Sequence, residues 1–594
     1  MTSDTAENSP TTFLVRVAIG LLQGIALFLL VQAGDAKTWP ATQPMLYAPL
    51  LTVCAYVPLI AVVGFGNLRR ITLALWIAVA TALCAGLAVH GIFRDPNVGD
   101  GRHDPQAVVW LALAAILFIA HSLIVASDTE RKYLAGYAAD FEVSWKLGVQ
   151  GALAGAFVGA FWLLLWLCVE LFGLIRIELL ADLIKHNWFW IPATTFVFAC
   201  ALHITDARAG IVQGARTLAM VLLSWLLPVM TLFAVAFVLA LPFTGIEPLW
   251  STRRATAILL TAGAALVFLI NAAYQDGRRE TASPVRYASH AAALVLVPLV
   301  ALAGYGLWLR IAQYGWTAER VHAGACVVVA GCYAIGYAIA ALRWRARLAD
   351  IEATNIATAL VSLALLFVLF TPIADPAKIA VADQISRLRD GRIAPEKFDY
   401  GFLRFRSGRY GVAALAELAA QEPTNPVAKR AKQMLALKNP SDLLVPTAQS
   451  LAANITLIHP AGQALPERFL SQNWTNLPRS WRLPPCLTAY AKCEAIMADL
   501  DDDGTPEILL FNLPSGGGAA FKAAGDGSWA FLGVIANAQC NGVRDALRSA
   551  APLRIVTAAF KEIEVNGNRL RVEIPCAEEA DAPAIAARPQ KDKR

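Results

Sequence analysis

From Phe13 to Phe370 the chain is a succession of long apolar runs separated by short polar breaks. A helix crossing a hydrocarbon core of about 30 Å needs about 20 apolar residues, because each adds about 1.5 Å. Eleven runs qualify: 13–33, 46–65, 71–93, 107–127, 147–175, 188–204, 218–241, 255–274, 287–309, 321–342 and 356–370. The sixth and eleventh are the shortest. None alternates polar with apolar, so strands of a membrane barrel are excluded and helices remain. The first run is too long for a signal-peptide core and carries only Arg16 as a positive charge, so it reads as a span. The pattern predicts an all-α polytopic transmembrane helical bundle of about eleven spans, followed by a soluble α+β C-terminal domain.

Beyond Thr371 the period changes. Ala380–Arg392, Tyr410–Gln421 and Val427–Leu437 read as amphipathic helices, the last two broken apart by Pro423 and Pro426. Phe398, Tyr400, Phe402, Phe405 and Tyr410 alternate with charged residues, which core packing or contact with the membrane surface explains more readily than ligand binding. From about Ser450 short apolar runs between turns predict strands at Glu494–Ala498, Glu507–Phe511, Trp529–Ile535 and Leu570–Ile574. The stretch Pro514–Ala519 reads as a flexible turn; it lacks the Lys-Ser/Thr ending of a phosphate-binding loop. The predicted organisation is a cytoplasmic tail (1–12), the helical membrane domain (13–371), a helical segment (372–440), a small β-rich domain (441–576) and a disordered tail (577–594).

Composition agrees: 57% of the 594 residues are hydrophobic and 16% charged, against about 25% charged in a soluble domain, and mean hydropathy is +0.53. The net charge of +6 comes from arginines at the ends of apolar runs, which is what membrane insertion leaves behind rather than a nucleic-acid surface. Alternate loops differ: those after the second, fourth, sixth, eighth and tenth runs hold thirteen Lys and Arg, the others nine. That bias favours a cytoplasmic N-terminus, and an odd number of crossings then puts the C-terminal domain outside, in the periplasm of a bacterial inner membrane. Six cysteines lie inside the apolar runs. Cys486, Cys493, Cys540 and Cys576 lie in the soluble part, and an even number there predicts two disulfides, with proximity favouring Cys486–Cys493 and Cys540–Cys576.

The sharpest local motif is Asp499-Leu500-Asp501-Asp502-Asp503-Gly504-Thr505-Pro506-Glu507. Carboxylates at alternate positions with a glycine for the turn can wrap a hard cation such as calcium. Asp499, Asp501, Asp503 and Glu507 would supply side chains and Thr505 its carbonyl. Leu510 stands where an EF-hand has its bidentate Glu, so this is no EF-hand; the arrangement looks like the strand–loop–strand calcium loops of FG-GAP-type repeats, in a single copy. An acidic surface turn reads the same way. Inside the membrane, ionisable groups are costly and are candidates for function. His121 and Glu170 lead; Asn271 and Asp276 mark the end of the eighth span, and His203 with Asp206 the end of the sixth. With Asp140 and Glu142 they would line a cytoplasmic vestibule, or simply cap helices at the interface.

Dispersed motifs also resemble the bacterial domain-of-unknown-function family 4153 over roughly the first 370 residues. They include Tyr137-Ala138-Ala139-Asp140-Phe141 with Trp145, Phe161–Trp166, His203-Ile204-Thr205-Asp206, Leu241–Gly245, Leu269–Gly277, and Leu309–Gly315 running into Glu319-Arg320-Val321. The resemblance implies a multi-span membrane protein and carries no catalytic residue. The expected role is therefore envelope-related binding or sensing by a periplasmic module, with no catalytic residue and lipid plus an envelope or periplasmic partner as the contacts. The alternatives are a secondary transporter or channel, and an envelope glycosyltransferase using a lipid-linked donor, whose acidic residue would be Asp35 or one of Asp95, Asp100 and Asp104 with His103.

Overall fold

The computed structural model describes residues 10–94, 105–251, 254–277, 282–343, 348, 350–437, 448–460, 462–472, 474, 483–488, 492–512, 517–535, 547, 555–556, 563–565 and 568–570. The chain divides into two compact units, 1–435 and 436–594.

Among its described residues the first unit has eleven helices long and apolar enough to cross a membrane. They are α1 (Pro10–Ala36), α2 (Pro44–Gly64), α3 (Arg70–Arg94), α4 (Ala107–Glu130), α5 (Tyr137–Leu174), α6 (Asn187–Ala207), α7 (Ala209–Thr244), α8 (Ala255–Tyr274), α9 (Ser283–Tyr314), α10 (Ala318–Leu342) and α11 (Asp350–Leu369). The eleven predicted runs are all found: α8 has the predicted bounds, most others reach a few residues further into their flanks, and α5 and α7 begin more than two turns earlier. With 38 residues, α5 is about 57 Å long, longer than a hydrocarbon core of about 30 Å, and its polar residues gather in the first part, Tyr137–Lys146.

Two apolar cores hold the bundle. One joins α7 to α11 around Leu266, Ile270, Leu296 and Tyr337. The other joins α2, α3 and α4 around Trp76, Ala80, Leu113 and Leu117 and includes Leu369 and Phe370 at the end of α11. Lipid tails are as apolar as the helices, so close approach rather than water exclusion selects partners. The seam of α1 and α6 illustrates it: a Cβ on Gly20 would stand 2.9 Å from the Thr195 carbonyl oxygen, and one on Gly24 would collide with Pro192. Gly20 and Gly24 form the small-xxx-small spacing that permits this contact.

Contacts between helix ends show that the spans alternate. The start of α1 meets the end of α6 through Arg16–Asp206, and Arg69 beside α3 meets Asp128 at the end of α4. Tyr274 at the end of α8 donates to Glu352 at the start of α11. At the other end of the bundle, His90 and Arg94 of α3 reach Asp375, which follows α11.

The chain does not leave the bundle freely. Helix α12 (Pro376–Arg389) is capped by fully buried Asp375, which accepts from Ala377 N at 2.8 Å and faces His90 Nε2 at 2.7 Å. Burial alone would raise the Asp375 carboxyl, but His90, Arg94 and the Ala377 amide hold it below the usual carboxylate range. Asp383, Gln384 and Arg387 of α12 tie to backbone groups of Trp316, Tyr314 and Ile311, at the end of α9. Helices α13 (Gly408–Ala419) and α14 (Pro426–Ala436) complete a small core with Phe398, Tyr400 and Phe402, as expected for those aromatics.

In the second unit a five-stranded sheet has the order β1-β2-β3-β4-β5: β1 Ile455–His459, β2 Cys493–Ala498, β3 Glu507–Asn512, β4 Gly517–Ala523 and β5 Trp529–Ile535. Strand β1 pairs parallel with β2, and the rest form an antiparallel meander. A separate hairpin pairs β6 (Ile563–Val565) with β7 (Asn568–Leu570). Three of the predicted strands coincide with β2, β3 and β5; the fourth meets β7 only at Leu570, and 571–574 lie outside the described residues. The predicted flexible turn is corrected at Gly517, Gly518 and Ala519, which belong to β4. Glycine is needed there: a Cβ on Gly518 would stand 3.0 Å from Phe511 Cδ1 and 3.1 Å from Ile535 Cδ1. Phe469, Trp474, Phe521 and Trp529 form an aromatic core under one face of the sheet. Cys486 and Cys493 are disulfide-bonded. Cys540, Cys576 and the tail 577–594 lie outside the described residues. The six cysteines of the apolar runs are free thiols.

Candidate functional site

Two groups of polar side chains stand out, one in each unit. In the membrane unit Asp206, at the end of α6, is almost fully buried and faces two cations. Arg16 Nη2 of α1 lies 2.7 Å from its Oδ2, and Lys146 Nζ of α5 lies 3.0 Å from its Oδ1. Gln150 Nε2 donates to Oδ1 at 3.1 Å and Asn67 Nδ2 to Oδ2 at 3.4 Å, while Arg16 also donates to the Phe65 carbonyl. A charge this deep survives only when paired and hydrogen-bonded, and the Asp206 carboxylate is.

Beside this cluster, α2, α4 and α5 enclose a cavity of about 250 Å³ whose polar lining is Asn67, His121, Thr129, Glu142, Lys146 and Gln150. His121 is 6% exposed. Trp76 Nε1 donates to His121 Nδ1 at 3.0 Å. An indole N–H can only donate, so Nδ1 must accept, which places the ring proton on Nε2. Nε2 has no hydrogen-bond partner. Lys146 is half-buried and Glu142 exposed, its carboxylate 3.7 Å from Arg216.

The expected vestibule thus gathers His121 and Glu142, with Asp206 beside it bonded to Asn67, Lys146 and Gln150; Asp140, half-buried near the start of α5, is not in its lining, and the remaining candidates lie elsewhere. Asn271 sits in a closed ring: its Oδ1 accepts from Tyr137 Oη and Asn355 Nδ2, its Nδ2 donates to Tyr337 Oη and the Val267 carbonyl, and Tyr337 Oη donates to Asn355 Oδ1. Every polar atom of Asn271 is satisfied, which suits a clasp between α5, α8, α10 and α11. Asp276 is half-buried in the turn after α8. Glu170 is exposed near the end of α5, among exposed Trp166, Leu167 and Leu171. The His203 ring meets that of Phe13 at a tilt, centroids 5.0 Å apart. Asp35 lies 3.4 Å from the Asn187 side-chain amide. Asp95, Asp100, His103 and Asp104 lie outside the described residues.

The second group is the loop between β2 and β3. Asp499, Asp501 and Glu507 bring one carboxylate oxygen each within 4.8 Å of one another. Asp499 accepts from the Asp503 and Gly504 amides, Asp503 accepts from Thr505 N, and buried Glu507 accepts from Leu500 N at 2.8 Å. Lys522 of β4, absent from the sequence expectation, reaches into the loop: its Nζ pairs with Asp501, with Asp503 at 2.7 Å and with Glu507 Oε1 at 3.7 Å. The hydrogen bonds to Asp501 and Asp503 raise the Lys522 amine, and the same ammonium lowers Asp503. The sign that could have revealed Lys522 is the hairpin itself, since β4 antiparallel to β3 puts its far end beside Glu507.

The sequence model of the family described as "Domain of unknown function (DUF4153)" matches residues 25–418. The chain belongs to this family. The matched stretch runs past the last span through α12 and most of α13, so the family's domain includes polar helices as well as spans. It contains Asn67, His121, Lys146, Gln150 and Asp206, and it ends before the acidic loop. No curated protein and no solved structure matches the chain.

Proposed function

We propose that this protein is a bacterial inner-membrane protein that presents its C-terminal unit to the periplasm for envelope-related binding or sensing. The observation that carries the reading is the Cys486–Cys493 disulfide, a bond that persists in oxidising compartments. An odd number of alternating spans, and the surplus of Lys and Arg in the loops on the same side as the start of α1, support an outside location for that compartment. The seat of α12 supports it: a chain emerging on a rigid, capped helix suits display better than a loose tether does. The test is a pair of reporters fused after Lys378 of the chain in living bacteria. Alkaline phosphatase should be active and a cytosolic fluorophore dark; the reverse result overturns the reading. Deleting 436–594 should then reproduce the envelope sensitivity of a null strain.

The acidic loop adds a calcium clause to this reading. Three carboxylates within 4.8 Å supply hard oxygen ligands, and Lys522 competes for them. Binding at about millimolar calcium, as in extracellular modules, fits that competition.

Secondary transport is the second reading, favoured by a polar cavity reaching buried His121 in α4. Its mark is loss of ion-coupled uptake in His121→Phe with normal expression.

A further inference from the structure

We propose that the cavity between α2, α4 and α5 is a binding site for a single oxyanion, a phosphate or carboxylate group. The inference stands on the cavity itself, whether its occupant is carried across or held.

Charge decides the class of ligand. Asp206 is one carboxylate between two cations, Arg16 and Lys146, so the cluster carries one positive charge in excess. The other acid at the cavity, Glu142, points to the exposed side and is faced by Arg216. A cation entering here would find Asp206 already neutralised. An anion would find Lys146, with three donor hydrogens of which Asp206 takes one.

The second observation is His121. Its ring is nine-tenths buried, lines the cavity and is held by Trp76, which leaves an Nε2–H with no acceptor. A buried donor without a partner is rare and costly, so an acceptor brought against it is stabilised. Lys146 and His121 thus both line one space, from α5 and α4. The volume, about 250 Å³, is small for an organic cofactor and ample for a phosphate with part of what it is attached to. Lys146 stands where the polar start of α5 gives way to its apolar stretch, the kind of position at which a crossing helix meets headgroups. Either a lipid headgroup or a free anion could then supply the oxyanion.

The experiment uses the full chain purified in a neutral maltoside detergent, with two probes. Inorganic phosphate is titrated by equilibrium dialysis, and phosphatidylglycerol retained from mixed phosphatidylcholine vesicles is counted by native mass spectrometry. Saturable binding of one phosphate per chain identifies a free anion; retention of one phosphatidylglycerol without phosphate binding identifies a headgroup. Lys146→Met and His121→Phe should each weaken whichever binds by about tenfold or more, the loss of one charge-assisted hydrogen bond. Lys132→Gln, an exposed lysine outside the cavity, should leave it unchanged. Should a variant fail to fold, the wild-type chain still decides: the bound probe should slow acylation of Lys146 and leave that of Lys132 unaltered. Binding of neither probe, undiminished binding in both variants, or an unprotected Lys146 overturns the proposal.

Discussion

Asp206 and Lys522 are mirror images. In the membrane unit one carboxylate serves two cations; in the C-terminal unit one ammonium serves three carboxylates. Their surroundings differ. The Asp206 side chain is 4% exposed and that of Lys522 33%. Water screens the second cluster and not the first, so equal geometry carries unequal free energy. The buried cluster should fix how α1, α5 and α6 meet, whereas the exposed one is free to exchange its central charge for another cation.

The largest effect should come from Asp206→Ala, which strands Arg16 without a counter-charge and should cost about 3–5 kcal/mol of stability, read as a lower Tm in detergent. Arg16→Met combined with Asp206→Leu should recover most of that loss; no recovery would show that hydrogen bonds to Asn67 and Gln150, not charge, dominate. Next, Cys493→Ser should destabilise the C-terminal unit by about 2.5 kcal/mol for so short a loop, and reductant should shift the electrophoretic mobility of the wild-type chain but not of the variant.

Acid should separate the two regions. Asp375 and Asp503 are both depressed in the folded protein, so each contributes stability that is complete above about pH 4, the unfolded value, and lost as pH falls through the lower folded value. Asp375 is buried and should dominate: below about pH 4 the seat of α12 should loosen first, seen as faster hydrogen exchange at 376–389. Asn271→Leu should cost about 0.6–1.7 kcal/mol, the range of membrane hydrogen bonds, because Tyr337 and Asn355 retain each other. The smallest change belongs to Lys522→Gln, whose exposed ion pairs are screened by water, so its Tm without calcium should stay close to that of the wild type. The same variant should bind calcium more tightly than wild type and show the larger Tm rise at millimolar calcium; no difference would remove calcium from that loop.

How legible these features are in the sequence depends on how local their causes are. Eleven spans can be read because each needs only its own twenty or so apolar residues. Strands β2, β3 and β5 announce themselves through Ile496, Leu509 and Phe531 between turn residues, but β4 is Gly-Gly-Ala-Ala-Phe-Lys-Ala, and it is a strand because it pairs with β3 on one side and β5 on the other. Arg16 and Asp206 look like ordinary ends of apolar runs, and only the α1–α6 seam, hinted at by Gly20 and Gly24, buries them together. Asn271 looks like a functional polar residue in the membrane because Tyr137, Tyr337 and Asn355, which satisfy it, lie far away in sequence.

Strand β1 has a consequence for how the C-terminal unit opens. The meander from β2 to β5 is built of neighbouring hairpins, each closing a short loop, while β1 can join only after the chain from 460 to 492 has travelled back to the same edge. Late, long-range pairing at one margin with a register irregularity at His459 makes β1 the least cooperative member of the sheet. Its amides, Ile455 to His459, should therefore be the first in the sheet to exchange with solvent, and the outer edge of β2 is the ladder that another strand could borrow.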